Sequence, residues 1–207
     1  MEILRTANAG VLLTLDGVSI LLDGICKELF PYFGTPKDIR EELTLNFPDI
    51  LAFTHYHDDH YDEEYENLYK TNTIRPVFGP DCDCFGEYKG IEIKAIPTRH
   101  IGKTDIAHVS FIIKGSKCVY FMGDSSPLEW KDKSDLPKPD VIIVPYAYAV
   151  TESAWRITKE LGADDIILLH LPDRKNDEYK LWDMVEKTVG NDESLHIIEV
   201  GKEIKIM

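Results

Sequence analysis

Apolar residues come in short runs whose spacing changes along the chain. In "VLLTLDGVSILLDG" two runs flank Asp16-Gly17, a dipeptide favoured in tight hairpin turns because both turn residues take positive φ, and the segment is expected to be a β-hairpin. "AHVSFIIKGSKCVYFMGD" repeats the plan, with Lys114-Gly115 at the expected bend and a closing Gly/Asp step. Either two hairpins simply look alike, or the fold is built from two similar halves. "PDILAFTH", "RPVFG", "IEIKAIPTRH", "DVIIVPY", "DIILLH" and "LHIIEV" are short β-branched runs bounded by Pro, Gly or Asp, and are expected to be strands.

Between these runs the period lengthens. "DEEYENLYK" sets Tyr65, Leu68 and Tyr69 at helical spacing, "TESAWRITKELG" does so with Ala154, Ile157, Thr158 and Leu161, and "NDEYKLWDMVEKTVG" with Leu181, Val185 and Val189. The last two stop at Gly162 and Gly190. Helices with one apolar face belong outside sheets whose inner faces pair, so the expected fold is α/β, a four-layer αββα sandwich. "FPYFGTPKD" and "DLPKPD" are expected to be loops.

Composition narrows the function. At 207 residues a single domain over 1–207 suffices, and 43% apolar with 29% charged residues is a globular balance with no tract long enough to span a bilayer. "MEILRTANAG" opens with an acid and lacks a basic region and an apolar core, so no secretory signal is expected and the cytoplasm is the default address. Cys26, Cys82, Cys84 and Cys118 are too few for a disulfide scaffold; the Cys82/Cys84 pair has no second Cys or His pair at zinc-finger spacing and is expected to be loop thiols. A formal charge of −14 repels phosphate backbones, which favours a small-molecule substrate over nucleic acid. Bound cations would invert the local field and could attract an anion. Nothing in the sequence sets an oligomeric state.

The candidate chemistry lies in "THYHDDHYD", directly after the apolar "ILAF". Side chains alternate along an extended strand, so His55 and His57 emerge on one side and can grip one ion, with Tyr56 turned away. Asp59 and His60 follow in the turn and suit a second ion beside the first. Each catalytic ion usually takes about three protein groups and keeps a position for water, so partners are needed from elsewhere. His100 ends "IKAIPTRH", Asp124 follows "CVYFMG" and His170 closes "DIILLH"; each is a polar residue at the end of an apolar run. His108 and His196 lie within or at the start of strands and are expected to be packed or edge histidines.

His55, His57, Asp59 and His60, followed by His100, Asp124 and His170, resemble the H-x-H-x-D-H…H…D…H pattern of the metallo-β-lactamase superfamily, and the opening "AGVLLTLDGVSILLDG" resembles that family's first hairpin. The resemblance implies an αββα sandwich with a dinuclear site at one edge. His55, His57 and His100 would hold the first divalent metal and Asp59, His60 and His170 the second, with Asp124 bridging and Asp23 supporting from behind. The donor set suits zinc foremost, with manganese or iron as alternatives. A metal-bridging hydroxide would attack a small phosphoester, lactone or related ester, with Asp59 orienting it and shuttling its proton.

Tyr61 and Asp62 follow the last motif histidine where several branches have glycine, which weakens the thioesterase-like assignment. An aspartate rather than a cysteine at the bridge leans toward phosphodiesterase-like or lactonase-like relatives. The subgroup most resembled is the bacterial one containing ascorbate-6-phosphate lactonase. The alternatives are a mononuclear-iron sulfur dioxygenase-like oxidoreductase and a noncatalytic metal-binding module; a flavodiiron enzyme would have Glu in place of His57. Arg99, Lys103, Tyr146 and Tyr148 are candidate contacts for a substrate anion, and Ser125 and Ser126 are candidate caps of the turn after Asp124.

Overall fold

The computed structural model describes residues 1–82, 85–102, 105–131 and 135–207. Cys84 and Lys103 lie outside the described residues. The first sheet is assembled from β1 (Glu2–Arg5), β2 (Val11–Leu15), β3 (Val18–Leu22), β4 (Ile50–Ala52), β5 (Val77–Phe78) and, from the far end of the chain, β13 (Glu203–Lys205), in the order β13-β1-β2-β3-β4-β5. The second contains β6 (Phe85–Tyr88), β7 (Ile91–Pro97), β8 (Val109–Lys114), β9 (Cys118–Phe121), β10 (Val141–Pro145), β11 (Asp165–Leu169) and β12 (Leu195–Ile197), in the order β12-β11-β10-β9-β8-β7-β6.

Both sheets are mixed, and they follow one plan. The hairpin β2–β3 is followed by β4 and β5, each parallel to its neighbour; the hairpin β8–β9 is followed by β10 and β11 in the same sense. The two-halves expectation therefore describes the connectivity. The first hairpin turns where expected, with Asp16 at φ 52° and Gly17 at φ 79°. The second turns slightly later: Lys114 is still in the ladder, paired with Cys118, and the bend is carried by Gly115 to Lys117. The two tips meet, because the Asp16 carboxylate accepts the Ser116 N–H at 2.6 Å.

Alternation explains the layering. Val11, Leu13 and Leu15 point inward from β2 and pack with Ile91, Ile93, Phe111, Ile143 and Ile167 of the second sheet in one buried cluster. Leu21, Leu51 and Phe53 cover the outer face of the first sheet and meet α1 (Lys37–Leu45) through Leu43 and α2 (Glu63–Asn72) through Tyr65 and Tyr69. On the opposite side Ile112, Tyr120, Ile142 and Leu168 pack toward α3 (Glu152–Glu160) and α4 (Leu181–Val189), where Ile157 and Val185 are buried. The arrangement is the expected four-layer αββα sandwich.

Some details differ from expectation. Helix α1 begins inside the stretch "FPYFGTPKD", and Leu68, assigned to the buried face of α2, is 40% exposed. The short strands β1, β6 and β13 carry no period long enough to announce them. At the chain's start, buried Arg5 donates to the carbonyls of Ala7, Asn8 and Ile198 at 2.8–3.1 Å, tying the β1–β2 loop to the C-terminal segment.

Candidate metal centre

Strand β4 ends against the second sheet, where Val109 N–H donates to Thr54 O at 2.9 Å, and the chain then turns through residues 55–62. The turn is closed by the N–H groups of His60 and Tyr61, both donating to His57 O at 2.9 Å. It runs into α2, whose first turn is capped by Asp62: its carboxylate accepts Tyr65 N–H at 2.9 Å and pairs with Arg40 at 2.7 Å. Tyr61 packs edge-on against Phe53 and donates to Glu66 at 2.6 Å. The two residues that depart from the family pattern are thus structural.

The seven predicted residues converge at this edge. His55, His57 and His100 each bring one potential ligand atom within 4.8 Å of the others, and Asp59, His60 and His170 do the same. Asp124 stands between the triads: its carboxylate oxygens lie 3.5 Å from His60 Nε2, 3.5 Å from His170 Nε2 and 3.7 Å from His100 Nε2. Asp59 lies 3.3 Å from His170 Nε2. Gly123 makes the approach possible, since at φ 52° a Cβ there would sit 2.6 Å from Thr54 side-chain atoms.

Asp23 organises the floor. Fully buried, it accepts the Thr54 N–H at 2.7 Å, the Thr54 hydroxyl at 2.6 Å and, at 2.8 Å, Nδ1 of His60. Because the Thr54 proton goes to Asp23, the Thr54 oxygen is left to accept Nδ1–H of His55 at 3.0 Å. His100 Nδ1 donates to Ile101 O at 2.7 Å. In all three rings Nδ1 is the anchored nitrogen, so Nε2 faces inward as the nitrogen a metal would take.

His170 is held differently. Its backbone N–H donates to Asn8 O at 3.1 Å, and the buried Asn8 amide meets its Nδ1, also at 3.1 Å. Turning that amide over would place the unpartnered Asn8 Oδ1 against Nδ1–H, completing the same pattern in the fourth ring.

Whether these residues fit metal ions is tested by the polar atoms themselves. His100 Nε2 and Asp124 Oδ1 are buried and have no hydrogen-bond partner among the described residues, although both are strong acceptors. Burial alone would raise the pKa of Asp124, but His170 and His60 hold it well below the ordinary carboxylate range. Burial, with the charge of His60, pushes His55 down, leaving it neutral. Lone pairs and carboxylate charge aimed at common points are what divalent cations need, so the residues fit.

The remaining candidates separate. His108 is packed, as expected, but has a role the sequence did not reveal: its Nε2 accepts Asp124 N–H at 3.0 Å while Nδ1 meets Thr98 Oγ1 at 2.8 Å. Burial pushes it down to about 3, keeping Nε2 an acceptor. His196 lies on β12 against Asp165. Tyr148 is fully buried, its hydroxyl 2.6 Å from that of Ser125, which also accepts the Trp130 indole N–H; it is part of the wall. Ser126 sits before the short turn Pro127–Trp130 without a side-chain cap. Arg99 is half exposed and lies 3.6 Å from Glu129. Tyr146 is half-buried beside His170, and next to it stands Tyr32, which no local pattern had marked.

An αββα sandwich with a His/Asp cluster at one edge defines the metallo-β-lactamase class of fold. Residues 5–170 match the Beta-lactamase superfamily domain, and the chain belongs to that family. No curated protein matches the sequence. Among solved structures it is similar to an isothiocyanate hydrolase from Delia radicum gut bacteria, with TM-score 0.73, 15% identity, and 100% of this chain and 99% of that one covered. It is also similar to Igni18, a metallo hydrolase from the archaeon Ignicoccus hospitalis, with TM-score 0.65, 18% identity and coverages of 98% and 97%. A third is a diphosphatase from the PhnP family, with TM-score 0.55, 17% identity and coverages of 97% and 85%. At these identities the likeness is one of fold. No helix among the described residues is long and apolar enough to cross a membrane.

Proposed function

We propose that the protein is a dinuclear metal-dependent hydrolase acting on a small phosphoester, lactone or related ester. The observation that carries this reading is the meeting of two ligand triads at one carboxylate, Asp124. His55, His57 and His100 would hold one divalent cation and Asp59, His60 and His170 the other, with zinc the first choice for this nitrogen and oxygen set and manganese or iron the alternatives. When bound, such a pair supplies Lewis acidity that makes water a nucleophile near neutral pH and polarises the electrophile.

The chain's own groups do the rest. Asp59 is buried, yet its hydrogen bond from His170 and the charge of His60 hold its pKa below the ordinary range, so it is an ionised acceptor able to orient the attacking water and take its proton. Asp124 keeps the triads at a fixed separation, and its own backbone is fixed by His108. Water adds across the scissile ester bond, giving an acid and an alcohol. Relatives of the same fold include a hydrolase of isothiocyanates and a diphosphatase, which is consistent with one site serving different electrophiles.

Purified protein is expected to carry about two metals per chain. Asp124→Ala should lose at least one of them together with hydrolysis of bis-p-nitrophenyl phosphate or of a simple lactone. Full metal content and activity in that variant would defeat the assignment; a single iron per chain in the wild type would favour an oxygenase instead.

A further inference from the structure

The loop after β3 lies over the second triad and is tied down on both sides. Lys27 N–H donates to Asp58 O at 2.7 Å, joining it to the histidine turn, and Thr35 Oγ1 accepts Cys26 N–H at 3.0 Å. Between these anchors Leu29 and Tyr32 bridge each other backbone to backbone at 3.2 and 2.8 Å, which puts Leu29 and Phe30 at a tight tip, 45% and 68% exposed. Tyr32 stands edge-on to the His170 ring, 4.3 Å between centroids. Its hydroxyl is 3.5 Å from that of Tyr146, which arrives from the second sheet in the turn after β10.

Two phenols so placed cannot satisfy each other. A mutual contact uses one O–H, so the second proton is left for a third oxygen. A phenol O–H is an uncharged donor. A neutral donor pair suits a carbonyl oxygen better than a phosphate, which calls for a cation. Two described cations of this region are engaged elsewhere, Arg99 with Glu129 at 3.6 Å and Lys27 with Asp58 at 3.7 Å.

We propose that Tyr32 and Tyr146 orient the substrate by donating to the carbonyl or ring oxygen of an uncharged ester or lactone, whose apolar arm lies along Phe30 and Leu29. This rests on the hydrolase reading and narrows its substrate class to neutral acyl compounds. Both phenols are substrate contacts rather than metal ligands, and they give the second triad a defined side from which substrate enters.

The test uses full-length, metal-loaded protein with p-nitrophenyl acetate and hexanoate, bis-p-nitrophenyl phosphate, and the non-hydrolysable ketone p-nitroacetophenone. Tyr32→Phe and Tyr146→Phe should each raise KM for the esters by about 3- to 10-fold with kcat changed less, as expected for loss of one neutral hydrogen bond. Phe30→Ser should erase the preference for hexanoate over acetate. Tyr179→Phe, on an exposed surface tyrosine, is the control. In parallel, NMR of ring-labelled tyrosine should show p-nitroacetophenone shifting the two signals that disappear in the Tyr32 and Tyr146 variants. Unchanged KM in both folded variants, or no shift of those signals, overturns the proposal even if hydrolysis itself is found. If no ester or phosphodiester is hydrolysed, the hydrolase reading fails, and the ketone-induced shifts alone decide whether the phenols bind a neutral carbonyl.

Discussion

The two triads are built to different standards of rigidity. In the second, His60 leans on the buried carboxylate of Asp23 and His170 on the buried amide of Asn8, and all three members are buried. In the first, His100 leans on a neighbouring backbone carbonyl, His55 on a hydroxyl, and His57 is half-buried. Side chains locked by burial and by partners distant in sequence cannot adjust without disturbing the core, whereas a ring held by its own loop can. The second triad is therefore the preformed one, and the first has room to respond to an ion or a substrate.

Removing the metals should act most strongly. Chelation is expected to abolish hydrolysis and lower Tm by about 5–10 °C, since a ligand at 100 times its Kd stabilises by ~2.7 kcal/mol and each kcal/mol is worth ~2–4 °C in a chain this size. An unchanged Tm would mean the cluster does not load. Asp23→Ala comes next, because Asp23 serves both triads: through His60 directly and through Thr54 to His55. It strands three buried donors, and a loss of ~3 kcal/mol or more in urea unfolding of the metal-free protein is expected.

A smaller and more selective effect should follow Asn8→Leu, which is expected to weaken only the second metal by roughly 10- to 100-fold in a zinc titration. Asn8→Asp, which keeps an acceptor for Nδ1–H, should recover much of that affinity. Loss of both metals in Asn8→Leu would show that the triads are not independent. The smallest stability change belongs to His57→Ala: metal-free unfolding should move by no more than ~0.5 kcal/mol, as for other partly exposed sites, while the first metal is lost. A large destabilisation there would contradict the pliable character given to the first triad.

How much of this could be read from the sequence depends on the range of the interaction. Alternation and a positive-φ dipeptide are local, so the β2–β3 hairpin and its turn were legible residue by residue. Four of the seven candidate ligands were legible from the density and spacing of His and Asp in one turn, and His100, Asp124 and His170 because each is a polar residue ending an apolar run; the structure brings all seven together. Helix α1 was not: within it only Leu43 is buried, too little for a helical period to stand out from the preceding Pro/Gly stretch. Asn8, His108 and Tyr32 were missed for a different reason. Asn8 meets a residue 162 positions away and His108 one 16 away, and nothing in their immediate neighbours encodes those meetings.

Arg5 extends that point to the whole chain. Its guanidinium clasps Asn8 O and Ile198 O together, while its backbone N–H reaches Lys202 O and its carbonyl receives Gly201 N–H. The loop that steadies His170 is thus fastened by a segment 193 positions further along the chain. The histidine turn is local, but the support behind the second triad takes its final shape only once the segment from Ile198 to Lys202 has docked on β1, so a change in that remote segment would be felt at His170.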